Sequence, residues 1–299
     1  MDKICIIGLG KLGSHLYYSI NRTRKFRVHY TVRNSRTKII PAKLNKCGII
    51  FICTGDSGIA KTVKELSAKK FNLKDKIIFH TSGALSSDVL IPLKKKGAYT
   101  GSFHPVQTFE VRVTGHNKKL NGIYIAVEGN DKAIAKAIEI VKLFRSKAVV
   151  LNSRDKVLHH VNCVFASNYL TAFLNIIDHV SRELSASYSH KKIFKNGFKK
   201  SSFFNIYKPL IEQTIRNIKA KGTVKSLTGP VERNDLNTIK LHLKTLNERI
   251  PALLPFYSLM AIETVNIALK KKSITNEDAR VMTDEFKKHL SLPKKRNRN

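Results

Sequence analysis

Tryptophan is absent from this 299-residue chain, and acidic side chains are scarce: 21 Asp and Glu stand against 55 Lys and Arg, a formal charge of +34 at pH 7. Cysteine is also sparse. Cys5, Cys47, Cys53 and Cys163 each sit alone in an apolar stretch. Without a CxxC pair or metal-ligand spacing, they exclude a disulfide framework and a recognisable zinc motif, so reduced thiols and no metal are expected. No apolar run reaches the length of a bilayer span, and the run Ile4–Leu9 is too short for a secretory leader. A soluble cytoplasmic protein with no membrane partner is the expectation. With 42% hydrophobic and 25% charged residues the chain has enough apolar material for two cored domains.

The basic excess raises the possibility of a nucleic-acid surface. It consists of 40 Lys but only 15 Arg, alongside 30 Ile and 21 Asn. That is the signature of drift toward AT-rich codons, whereas base readers favour the planar two-point fork of Arg. The lysines are scattered, with short runs at 94–96, 191–200, 270–272 and 294–298. Solvated faces account for them better than a nucleic-acid groove does. The field would still draw in an anionic ligand such as a polyphosphate cofactor.

The stretch KICIIGLGKLGSHL (3–16) is a β-branched apolar run, then Gly8-x-Gly10-x-x-Gly13, then residues that can open a helix. The first glycine permits a tight turn, the second lets a pyrophosphate approach the backbone, and the third lets helix and strand pack closely. Lys11 and Leu12 would add N–H groups at the helix start. The next strand, FRVHYTV (26–32), is followed by Arg33, Ser35 and Arg36, and no carboxylate occurs between Lys3 and Gly55. A site built for NAD would place an acid there for the ribose hydroxyls. Arginines and a serine suit a ribose 2′-phosphate instead, so NADP is the inferred cofactor.

Strand-like runs at 48–53 and 76–80 end in small-residue turns, Thr54-Gly55-Asp56 and Thr81-Ser82-Gly83-Ala84, with a helical stretch at 57–69 between them. This alternation predicts an α/β fold: an N-terminal Rossmann doubly wound parallel sheet over residues 1–152, with Thr54, Gly55 and Ser82 facing the nicotinamide. A loop GSFHPVQTF (101–109), strands at 122–127 and 148–151 and a helix at 131–144 complete it. Residues 153–299 predict an all-α C-terminal domain for substrate and dimerisation. Its first helix, capped by Ser153 and running to about Leu184, is apolar on nearly every side and is expected to be central and buried. Further helices are predicted at 204–219, 234–248 and 251–271.

Together GSFHPVQTF, HHVNCVFASN (159–168) and SLTGPVERND (226–235) resemble the Rossmann-like NADP oxidoreductases whose C-terminal half is domain of unknown function 2520. The resemblance implies a helical domain similar to the C-terminal domain of 6-phosphogluconate dehydrogenase, and, more distantly, a layout like ketopantoate reductase, pyrroline-5-carboxylate reductase and the β-hydroxyacid dehydrogenases. It implies a homodimer and a small-molecule site in the interdomain cleft. Ketopantoate reductases and β-hydroxyacid dehydrogenases carry a catalytic Lys four residues before a substrate-holding Asn. With Asn168 matched to that Asn, Val164 takes the Lys position, and the general acid is expected to be missing. Arg233-Asn234-Asp235 replaces an Arg-Gly-Asp, which leaves that turn's geometry open.

On an ideal helix Ser167 lies roughly 20° and Asn168 roughly 80° around from His160, while His159 lies about 100° to the other side. His160 could therefore donate a proton in place of the missing Lys, with Asn168 and Ser167 positioning substrate; a core histidine satisfied by hydrogen bonds fits the pattern equally well. His104 is a second catalytic candidate, Gln107 a substrate contact, and Arg233 an anion clamp, while Asp235 is read as a helix cap. Two functions follow: an NADP(H)-dependent reductase of a small oxo-acid or imino-acid, ketopantoate-like, or a catalytically idle NADP-binding sensor or partner protein.

Overall fold

The computed structural model describes residues 2–34, 37–68, 70–114, 120–186 and 203–291, which divide into two compact units, Met1–Thr171 and Ala172–Asn299. The first unit is built on seven strands: β1 (Asp2–Ile7), β2 (Phe26–Val32), β3 (Ile49–Ile52), β4 (Ile77–His80), β5 (Tyr99–Pro105), β6 (Tyr124–Gly129) and β7 (Lys147–Val150). Their order is β2-β1-β3-β4-β5-β6-β7, parallel throughout except for the antiparallel β5–β6 pair. The chain winds one way from β1 to β2 and the other from β3 onward. The crevice beyond the carboxyl ends of β1 and β3 is thus the switch point where such sheets bind ligands.

Strands buried on both faces read as continuous apolar runs, because alternate side chains enter two cores. Ile4 and Ile6 join Phe51, Phe79, Phe103 and Ile140 on one face; Cys5 and Ile7 join Ile50, Ile52, Ile59 and Ile78 on the other. The rings of Phe51, Phe79 and Phe103 meet across three strands at centroid distances of 5.1, 5.3 and 5.9 Å. Around the sheet lie α1 (Lys11–Asn21), α2 (Pro41–Leu44), α3 (Asp56–Leu66), α4 (Ile91–Lys94) and α5 (Asp131–Leu143). Asn130 caps α5 by accepting from the Ala133 amide at 2.9 Å.

A helical run follows: α6 (Lys156–Val164), a π-helical turn (Phe165–Tyr169) and α7 (Leu170–Ala186). Three expectations change. Ser153 does not cap α6 and sits instead in a 3₁₀ turn, Ser153–Asp155, whose preceding residue is Asn152. The run is not buried, since Val157, Leu158, Phe165 and Tyr169 are each more than half exposed. Residues 101–105 are not a loop either, because all five pair with β6 and Gly101 and Ser102 also with β4.

The second unit contains α8 (Phe203–Ser226), α9 (Leu236–Arg249), α10 (Leu254–Lys271) and α11 (Asn276–Lys287), with α8 interrupted at Gly222, whose φ is 77°. Val231, Ile239, Leu243, Ala261, Val265, Met282 and Phe286 form its core. The sequence reading missed α11, although a capping box announces it: Thr275 accepts from the Asp278 amide and Asp278 from the Thr275 amide. Residues Pro251–Lys271 are also long and apolar enough to cross a bilayer, contrary to expectation. A core helix passes the same test, and Ala261, Val265 and Ala268 of α10 are buried in the unit's core.

Candidate functional site

The turn between β1 and α1 has the form a dinucleotide needs. Gly8 adopts φ 102°, and a Cβ on it would lie 2.8 Å from the backbone of Cys53. At Gly13 a Cβ would lie 1.9 Å from the Gly8 carbonyl oxygen, so only glycine lets α1 rest on the turn. Gly10 faces open space. Lys11, Leu12 and Gly13 form the first turn of α1, which holds no acidic residue, so its unpaired N–H groups and dipole favour an anion.

Arg33 stands where β2 meets this turn, its carbonyl accepting from the Leu9 amide at 3.0 Å. Ser35 and Arg36 lie outside the described residues. Thr54 and Gly55 follow β3, and the Thr54 Oγ1 is buried without a hydrogen-bond partner. An open approach at Gly10, a cationic Arg33 and an orphaned hydroxyl at the switch point fit a phosphorylated dinucleotide.

Beyond β4 the chain turns through His80, Thr81, Ser82 and Gly83. His80 Nδ1 accepts from the Ser82 amide at 3.2 Å, which leaves Nε2 to donate to the Ser86 carbonyl at 3.1 Å. Burial, reinforced by the Lys156 charge, lowers the His80 pKa to about 4. The imidazole is neutral, and it holds the backbone that Lys156 uses.

Lys156, at the start of α6, is 1% exposed. Its ammonium donates to the Ser82 carbonyl at 3.1 Å and to Ser102 Oγ, on β5, at 3.0 Å. Burial pulls its pKa down, opposed by the charges of Glu128 and Asp56. Val164 still stands four residues before Asn168, as expected; Lys156 is a different lysine, one the sequence reading did not single out.

His104 on β5 and His159 and His160 on α6 form one cluster. Ring centroids of His104 lie 5.6 Å from His159 and 6.2 Å from His160. Both His104 Nδ1 and His160 Nδ1 are buried without partners. Gly83 seats the pair: a Cβ there would lie 2.6 Å from His160 Nδ1 and 2.8 Å from His104 Nε2. Burial, then the Lys156 charge, lowers the His104 pKa to about 3 and also depresses that of His159. The ring of His159 faces that of His104, while of the two adjacent histidines it is His160 that lines the neighbouring cavity, as helix geometry suggests.

A cavity of about 420 Å³ opens beside the cluster, lined by His104, Gln107, His160, Cys163, Ser167 and Asn168 among others. The structure brings together every first-unit candidate for substrate contact. The π turn widens the helix where Ser167 and Asn168 meet the cavity, as such turns do at many functional sites. Ser167 is partly engaged, its hydroxyl donating to the Cys163 carbonyl at 2.6 Å. Donor atoms of His104, His159 and Cys163 also converge, although no spacing in the sequence announced a metal site.

In the second unit, Arg233 belongs to the turn before α9. Asn234 there adopts φ 54°, the left-handed conformation a glycine would otherwise supply, and Asp235 caps α9 by accepting from the Thr238 amide at 3.0 Å. The capping role expected of Asp235 is the one observed.

Comparison with known proteins adds two domain matches: a Rossmann-like domain over residues 2–105 and the family described as Domain of unknown function (DUF2520) over 123–264. No curated protein matches the sequence. Among solved structures, protein TM1727 from Thermotoga maritima is 19% identical with TM-score 0.65, covering 90% of this chain and 99% of its own. BF3122 from Bacteroides fragilis, described provisionally as an NADP oxidoreductase, is 19% identical with TM-score 0.66, covering 88% and 97%. A reductive aminase from Aspergillus terreus, solved with NADPH and ethyl-5-oxohexanoate, is 12% identical with TM-score 0.54, covering 97% and 94%. At these identities the likeness is one of fold.

Proposed function

From the match of residues 123–264 to the DUF2520 family and of residues 2–105 to a Rossmann-like domain, we propose that the chain is an NADP(H)-dependent reductase of the C=O or C=N bond of a small oxo-acid or imino-acid. When bound, the dinucleotide supplies the hydride. The chain's own residues supply the rest: the α1 N-terminus and Arg33 hold phosphates, and the cavity walls hold the substrate. Gln107, Ser167 and Asn168 offer polar contacts for orientation. His160, facing the cavity, stands where a proton can be passed to the atom that accumulates negative charge. Lys156, tied to Ser82 and Ser102, fixes a positive charge beneath the histidines and favours an anionic transition state.

The observation that carries this reading is Lys156. A buried ammonium held by two neutral oxygens is costly unless negative charge, that of Glu128 and Asp56 or of a reacting substrate, supports it; the idle-sensor alternative rests on the Lys missing four residues before Asn168, where Val164 stands. The test is NADPH oxidation against a panel of small oxo-acids and cyclic imines, ketopantoate first, at saturating cofactor. Turnover on at least one compound, lost in Lys156→Met, is expected. NADPH binding with no turnover on the whole panel would leave the idle cofactor-binding reading in its place.

A further inference from the structure

We propose that His104, His159 and Cys163 bind one divalent ion of the zinc class, held by three protein ligands with a fourth position open to the cavity beside them. One donor atom from each lies within 4.8 Å of the other two. Around tetrahedral zinc, with bonds of about 2.0–2.3 Å, ligand atoms stand roughly 3.3–3.8 Å apart. Closing the triangle therefore takes side-chain shifts of about an ångström. One edge is already that short, since Cys163 Sγ lies 3.7 Å from His159 Nε2.

The secondary structure explains the convergence. His159 and Cys163 are one turn apart on α6, the i, i+4 spacing that points two side chains at the same spot. His104 comes from β5, anchored on both sides by β4 and β6, with its ring across from His159. One of its nitrogens is buried with no partner. Two imidazoles and a thiol suit Zn²⁺ or Co²⁺; Mg²⁺ and Ca²⁺ require oxygen donors.

His104 and Cys163 line the 420 Å³ cavity. The open position therefore faces the space where a ligand sits, and it would take the oxygen of a carbonyl or carboxylate. The nearby Lys156 opposes a second cation, but its ammonium is held by Ser82 and Ser102, and the Cys163 thiolate offsets one of the ion's charges. The site stands on geometry and donor chemistry independent of the reductase reading, and its test needs no activity.

Full-length protein without a polyhistidine tag, stripped with a chelator, is titrated with Co²⁺ and then with Zn²⁺ as competitor. One equivalent per chain should produce the visible bands of tetrahedral Co²⁺ and a thiolate-to-metal charge-transfer band, both erased by Zn²⁺. Cys163→Ser should remove the charge-transfer band. His104→Gln and His159→Gln should each weaken binding by more than the roughly 10- to 100-fold that loss of an outer partner costs, while His242→Gln leaves it unchanged. A wild-type protein that takes up no Co²⁺, or a charge-transfer band that survives Cys163→Ser, overturns the proposal. Should a variant fail to fold, thiol labelling of the wild type decides: Zn²⁺ protects Cys163 from alkylation if the site exists, and unchanged labelling refutes it.

Discussion

Acidification should weaken the fold through His80, by an amount that follows from its surroundings. Nδ1 accepts from the Ser82 amide, so a second proton on the ring has no acceptor and faces an N–H. The folded pKa of about 4 lies below the ordinary 6.5. Between these values the unfolded chain binds the proton and the folded chain refuses it, so stability falls as pH drops through 6.5 and levels off below 4. A shift of about 2.5 units corresponds to about 3.5 kcal/mol in all, of which about 2 kcal/mol is lost between pH 7 and pH 5.

The comparison is urea unfolding of the wild type and His80→Gln at both pH values with a chelator present, followed by circular dichroism because the chain has no Trp. The wild type should lose about 2 kcal/mol more than the variant over that interval, whatever their stabilities at pH 7. Ring resonances of His80 give the pKa directly. Equal losses in the two proteins, or a His80 resonance titrating near 6.5, would refute the reasoning.

Lys156→Met should keep NADPH affinity while lowering turnover by roughly two to four orders of magnitude, the range for loss of a charge or acid that acts in the transition state; equal loss of cofactor binding would mean a structural lysine. Arg33→Glu should erase a preference for NADPH over NADH, measured by fluorescence titration of both cofactors, and an unchanged ratio would remove Arg33 from the 2′-phosphate site. His160→Gln should cut turnover by a similar two to four orders with folding intact, and normal turnover would return His160 to a packing role. Light scattering should find a dimer rather than a 33.8 kDa monomer, since Val157, Leu158, Phe165 and Tyr169 are left exposed along one helical run.

How legible each part was depended on the range of the interactions that define it. The glycine turn was readable because Gly8, Gly10 and Gly13 act on atoms a few residues away. Strands β1, β3 and β4 were readable because a sheet covered on both faces demands unbroken apolar runs. Residues 101–105 read as a loop because Gly101 and Pro105 weaken any local strand signal, and pairing with β4 and β6 overrides it. Asn234 looked like a defect in its turn, yet Asn tolerates the left-handed φ it adopts.

The candidate site divides along the same line. Sequence by itself determined the glycine turn between β1 and α1, the absence of an acid after β2 and the side of α6 that carries His160, because periodicity and short motifs are properties of neighbouring residues. Tertiary structure alone decided that Lys156, whose positive charge would ordinarily mark a solvated helix end, is buried on the Ser82 carbonyl and Ser102, 74 and 54 residues away. It alone brought His104 from a central strand against His159 and Cys163. Such contacts are set by how a helix lies on the sheet, and that packing is a sum over many side chains that no local window of the chain contains.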